Sequence, residues 1–174
     1  MRKDFNSTTM AGTSTQAGIL CMWIQKGHIA RLLIPMRNID QQTPGGRFPT
    51  GTKLLIVDDA PEIRAVLEFL FTQQGAEVLV IDSAASAIQI ALTEHPDLIL
   101  MDMQLPDMDG CKATQFLKRQ GFQAAIIAIT GSVQDGERER CLLAGCADFV
   151  RKPFDLAHLR SVIDRHLAFK RPNP

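Results

Sequence analysis

A chain of 174 residues with 19 Lys/Arg, 19 Asp/Glu and four cysteines has room for one ordinary domain plus an appendage, and its zero formal charge argues against generic nucleic-acid binding. Cys21, Cys111, Cys141 and Cys146 form no CxxC pair, so they indicate neither a zinc site nor a disulfide framework and read as reduced thiols of a cytosolic protein. The longest uncharged apolar run, Ala17 to Ile24, is too short to span a bilayer, and the polar residues after Lys3 spoil a signal peptide.

The balanced charge hides two compositional regions. Residues 1–52 hold six Lys/Arg against two Asp, whereas residues 53–174 hold 13 against 17. The first 18 residues are rich in Ser, Thr and Gly and are expected to be disordered. Ile19 to Ile24 and His28 to Ile34 are apolar runs separated by Gln25-Lys26-Gly27, the pattern of a hairpin over 19–34. Pro35 to Gly51, with Pro44, Gly45, Gly46 and Pro49, reads as a linker, which puts the domain boundary near Thr52. The expected layout is an N-terminal extension over 1–52, a domain over 53–169 and a short tail over 170–174.

From Lys53 onward strand and helix signals alternate, as in a parallel α/β sheet. Strands are expected at Lys53 to Val57, Glu77 to Ile81, Leu98 to Met101, Ala124 to Ile129 and Asp148 to Val150. Between them, one helix opens at Pro61, places Ile63, Val66, Leu67, Leu70 and Phe71 on one face and stops at Gly75. Others are expected over about Ser83 to Glu94, Gly110 to Gln120 and Val133 to Ala144, and the last puts Leu156, Leu159, Val162, Ile163 and Leu167 on one stripe. Gly136 falls inside the fourth of these helices, where a glycine costs on the order of 1 kcal/mol relative to Ala, so its first turns are expected to be loosely held.

The apolar run Leu98 to Met101 ends in Asp102, and Leu54 to Val57 ends in Asp58-Asp59. A carboxylate where an apolar strand emerges must be paired, coordinated or open to a cleft. In an open parallel sheet ligands bind beyond the carboxyl ends of the strands, where strand order reverses. Three acids converging there call for a cation, and a hard, oxygen-ligated ion such as Mg²⁺ suits them because it leaves positions for phosphate oxygens. The fourth strand ends in Thr130-Gly131, a hydroxyl and a close backbone approach, and the fifth is followed by Lys152-Pro153. Asp109 is placed to cap the helix that starts near Cys111.

The acid pair Asp58-Asp59, the segment Asp102 to Gly110, Thr130-Gly131 and Lys152-Pro153-Phe154, in that order on those elements, resemble the receiver domain of two-component response regulators. The resemblance covers Lys53 to Leu167. It implies a flavodoxin-like, doubly wound five-stranded parallel sheet of order 2-1-3-4-5 with helices on both faces. It further implies that Asp102 is a phosphoacceptor for the phosphohistidine of a histidine kinase or phosphotransfer protein. Asp59, Asp102 and the Gln104 carbonyl would ligate Mg²⁺, with Asp58 acting through a bound water. Lys152 would pair with a phosphoryl oxygen, and Thr130 would bond another and act as a switch followed by Phe149 on the fifth strand. Gln104 and Ser132, two positions beyond the acceptor and the switch hydroxyl, would tune the lifetime of the acyl phosphate.

The same resemblance assigns the fourth helix, the Phe149 strand and the last helix to a face read by a downstream protein, with no nucleic acid and no membrane contact. It makes the domain a cytoplasmic signalling module rather than an enzyme, limited to self-phosphorylation and autodephosphorylation. The hairpin resembles the terminal strands of a kinase ATPase domain, so a fragment of a hybrid kinase and a free-standing regulator with its own leader are both open. His28-Ile-Ala-Arg31, followed by Pro35-Met36, faintly resembles a histidine box, but the acidic residue after the histidine is missing and two extra residues precede the proline. Two competing functions differ in class. A pseudo-receiver would bind partners without phosphorylation, which the complete set of acids, hydroxyl and lysine argues against. A dehalogenase-type phosphatase needs a second Asp where Gln104 stands, and an amide cannot serve as that acid.

Overall fold

The structure is a computed structural model that describes residues 18–25 and 28–35 as backbone and residues 46–131 and 136–168 with their side chains. The chain divides into two units, residues 1–38 and 39–174. In the first, strands β1 (Gly18–Gln25) and β2 (His28–Pro35) pair antiparallel, in a register running from Gly18 opposite Pro35 to Gln25 opposite His28. The expected disorder of the first residues, the tail over 170–174 and Ser132 lie outside the described residues.

The second unit holds five parallel strands, β3 (Lys53–Val57), β4 (Glu77–Ile81), β5 (Leu98–Asp102), β6 (Ala125–Thr130) and β7 (Asp148–Arg151), in the order β4-β3-β5-β6-β7. This is the expected 2-1-3-4-5 order, with strand order reversing between β3 and β5. Burial explains the composition of each strand. All five residues of central β5 are buried, the first four a continuous apolar run and the last Asp102, whereas edge strand β4 is only half-buried. Helices α1 (Pro61–Gln73), α2 (Ala84–Glu94), α3 (Gly110–Arg119), α4 (Glu137–Ala144) and α5 (Leu156–Leu167) alternate with the strands. Helix α1 buries Ile63, Leu67, Leu70 and Phe71, the face its 3.6-residue periodicity marks out, with Val66 half-buried beside them.

Two expectations need correction. Gly136 does not lie inside a helix. It is the N-cap of α4 with φ 84°, a left-handed conformation that glycine adopts without a Cβ penalty, and α4 starts at Glu137. The stretch read as linker also enters the core at its end: Phe48 is buried, its ring meets Phe71 edge-on at 5.7 Å, and its N–H donates to the Gln74 carbonyl at 2.8 Å. The Arg160 guanidinium of α5 lies 3.6 Å over the same ring and bonds the Gln74 side chain. A lone aromatic in a Pro/Gly-rich segment has no periodicity to announce it.

Candidate functional site

The carboxyl ends of β3, β5, β6 and β7 open on one edge of the sheet, because every strand in it runs the same way. The strand ends deliver polar groups there. Asp58 follows β3 and Asp102 ends β5, both buried, while Asp59 is exposed. One oxygen from each of these three carboxylates lies within 4.8 Å of the others. Lys152, just past β7, is buried and donates to Asp58 Oδ2 and to Asp102 Oδ2, each at 2.6 Å. Its own N–H donates to the Thr130 carbonyl at 2.7 Å, which seats the loop after β7 against the end of β6. Thr130 is fully buried and Gly131 half-buried.

The remaining oxygens are held by backbone. Asp58 Oδ1 accepts from the Ala60 N–H at 3.0 Å and Asp102 Oδ1 from the Gln104 N–H at 2.8 Å. The Asp58 carbonyl accepts from Arg64 of α1 at 2.5 Å. Gln104 itself is exposed. Phe149 is half-buried in β7 opposite Ala128 and packs against the apolar core. The structure thus brings Asp58, Asp59, Asp102 and Lys152 together, leaves Thr130 and Gly131 at the adjoining strand end, and sets Phe149 two residues before Arg151 on the neighbouring strand.

Electrostatics define what the site lacks. One ammonium faces three carboxylates, so the pocket is short of positive charge. Burial pushes the Asp58 carboxyl above its ordinary value, Lys152 pulls it back only in part, and the Asp102 charge adds to the rise. Burial works to lower the Lys152 ammonium, but Asp102 and then Asp58 outweigh it and hold the lysine charged. A pocket of oxygen donors with excess negative charge and one exposed acid fits a hard divalent cation.

As expected, Asp109 caps α3: its carboxylate accepts from the Cys111 N–H at 2.7 Å. Two further anchors of the loop that follows Asp102 have no signal in the sequence. Asp107 caps α2 from outside that helix, accepting from the Ala84 and Ala85 N–H groups at 3.0 and 2.9 Å. Arg140 of α4 donates to Asp109 at 2.7 Å. Both partners lie more than twenty residues away in the chain, so no local pattern could have revealed them.

Comparison with known proteins agrees with this architecture. The family model for the response regulator receiver domain matches residues 54–164. Regulatory protein AtoC of Escherichia coli (strain K12) is 33% identical over 115 residues, 66% of this chain and 25% of AtoC. Sensor histidine kinase GacS of Pseudomonas protegens is 31% identical over 132 residues, 73% of this chain and 14% of GacS. The chain therefore spans a quarter or less of the length of these two relatives. Among solved structures, the receiver domain of sensor histidine kinase PA1611 from Pseudomonas aeruginosa PAO1, with a magnesium ion coordinated in its active site cleft, is 34% identical. It aligns with TM-score 0.63 over 68% of this chain and 99% of that one. The Francisella response regulator 1452 receiver domain, 21% identical, shares the fold with TM-score 0.66 over 70% of this chain and all of its own. With a match that runs from the first strand of the parallel sheet to its last helix, the chain belongs to the receiver domains of two-component response regulators.

Proposed function

We propose that Asp102 is the phosphoacceptor of this receiver, taking a phosphoryl group from the phosphohistidine of a histidine kinase or phosphotransfer protein. The observation that supports this most is the Asp102 carboxylate itself, buried at the end of the central strand and held between an ammonium and two further acids. As an Asp102 oxygen forms its bond to phosphorus, the phosphorus–nitrogen bond of the donor breaks and its electron pair returns to the imidazole. Two anions must meet for this, and a hard cation such as Mg²⁺, when bound, cancels much of their repulsion. Asp59, Asp102 and the Gln104 carbonyl would hold it directly and Asp58 through water.

This chain's residues supply the rest. Lys152 exchanges its bonds to Asp58 and Asp102 for a phosphoryl oxygen, and the Thr130 hydroxyl with the Gly131 backbone takes another. Phe149 has no hydroxyl, so neither of its two rotamers is held by a hydrogen bond and the ring follows Thr130 by packing alone. Gln104 and Ser132, two positions beyond the acceptor and the switch hydroxyl in the sequence, tune the lifetime of the acyl phosphate. The acting unit spans 53–169, and its output face consists of α4, where Leu143 is 86% exposed, β7 and α5. It meets a downstream protein rather than nucleic acid or membrane. No described helix is long and apolar enough to cross a membrane, and the reading puts the domain in the cytoplasm. Kinase activity would enter only if the parent chain is a hybrid histidine kinase; a free-standing regulator would have none.

Incubation with Mg²⁺ and acetyl phosphate, followed by intact mass, tests the proposal. The chain gains one phosphoryl group and Asp102→Asn gains none. An equal gain in the mutant would sink it.

A further inference from the structure

The loop from Met103 to Asp109 carries the carbonyl that would complete the cation site, and its fastening is the most telling feature outside that site. Gln104 and Asp109 form an isolated antiparallel bridge, and the Gly110 N–H donates to the Met103 carbonyl at 3.1 Å. That bond uses the Met103 carbonyl and not that of Gln104. The loop is cinched tightly here, since a Cβ on Gly110 would run into the carbonyl oxygen of Asp102. Two carboxylates fix the closed loop to the rest of the fold. Asp107 holds it to the first turn of α2. Asp109 holds it to α3 through Oδ1 and to α4 through Oδ2.

The α4 link differs from an ordinary surface ion pair. The guanidinium of Arg140 forks, one nitrogen to Asp109 Oδ2 at 2.7 Å and the other to Glu137 Oε1 at 2.8 Å. Glu137 is buried with a side chain 9% exposed, and Asp109 is already pinned by the Cys111 N–H. Asp109 is therefore held independently of Arg140, Glu137 is confined by burial, and the planar fork of the exposed Arg140 matches both acceptors. We propose that Arg140 is a positioning residue for the cation site, fastening α4 to the acceptor loop so that the Gln104 carbonyl is presented to Mg²⁺. This inference rests on the receiver reading and adds to it a residue that touches neither the cation nor the phosphoryl group. Groups that orient metal ligands from outside the coordination sphere typically change metal affinity by about 10–100-fold when removed.

Calorimetric titration of the full chain with Mg²⁺, well below its melting temperature, separates this role from simple stabilisation. The account expects the dissociation constant of Arg140→Gln to weaken by about tenfold, and that of Arg140→Lys, which keeps a cation beside Asp109, to stay closer to wild type than to the Gln variant. Wild-type binding with an unchanged constant in Arg140→Gln overturns the inference and leaves the receiver reading standing. Equal weakening in the Lys and Gln variants overturns it too. A wild-type chain that binds no Mg²⁺ and gains no phosphoryl group overturns the receiver reading itself.

Discussion

Two cations lie buried among the described residues, Lys152 at 8% exposure and Arg160 at 3%, and the fold satisfies them in opposite ways. Arg160 spreads its charge over the Gln74 amide, the face of Phe48 and Asp164 of its own helix. A planar, delocalised guanidinium stacks and bonds in several directions at once, so it works as a fastener between α1, α5 and the segment before β3. Lys152 instead points a compact ammonium at two carboxylates, 2.6 Å from each. A point charge between two acids, with a third close by, can change partners without the surrounding fold being rebuilt. One region buries a cation to hold elements together, and the other buries one that, in the proposed mechanism, is exchanged for a phosphoryl oxygen.

That contrast is sharpest under mutation. Lys152→Met is expected to slow phosphoryl acceptance by about 100-fold or more, the order seen when a single preorganised charge-stabilising donor is lost. Its fold should persist, as rates from intact mass beside a thermal melt would show; a rate near wild type would break the contrast. Phe48→Ala should do the reverse. Truncating a buried aromatic costs about 3–5 kcal/mol, read by urea unfolding, while the folded variant accepts a phosphoryl group at the wild-type rate.

A smaller effect concerns pH. The Asp58 carboxyl is raised, chiefly by burial, above its unfolded value, so the folded state binds this proton more readily than the unfolded chain does. Its contribution to stability therefore falls as pH climbs from the unfolded carboxylate value through the raised folded one, and above that the ionised group is a standing cost. Asp58→Asn is expected to lose this slope and to melt above wild type at pH 7. A lower melting temperature at that pH would show that the bond to Lys152 outweighs burial.

The smallest effect tests the apolar core shared by α2, α3 and α4. Cys111 and Cys141 face each other with sulfurs 3.9 Å apart, and burial pushes Cys111 up to about 12 and Cys141 and Cys146 to about 11. Iodoacetamide at pH 8 should leave all three untouched in the folded protein and modify them in urea. Rapid labelling of any of them without denaturant would contradict this packing.

The exchangeable region was legible in the sequence and the fastened one was not. Asp58, Asp102, Thr130 and Lys152 each follow a short apolar run, and the alternation of strands and helices shows that such runs end on one edge. The order β4-β3-β5-β6-β7 then follows from the resemblance. Phe48, Gln74 and Arg160 come from three distant stretches, none of the three belongs to an apolar stripe, and they meet only once α1 and α5 have packed. Asp107 on α2 and Arg140 on Asp109 escaped notice for the same reason. Gly136 was misplaced because a polar segment followed by a helix looks continuous in composition, whereas its positive φ is a property of the backbone alone.

Identifying the modified side chain separates Asp102 from its two acidic neighbours. The chain would be phosphorylated with acetyl phosphate and Mg²⁺, reduced with borohydride, which converts an aspartyl phosphate to homoserine, and then mapped by peptide mass. The account predicts conversion at position 102 alone. Conversion at Asp58 or Asp59, with Asp102 intact, would contradict it.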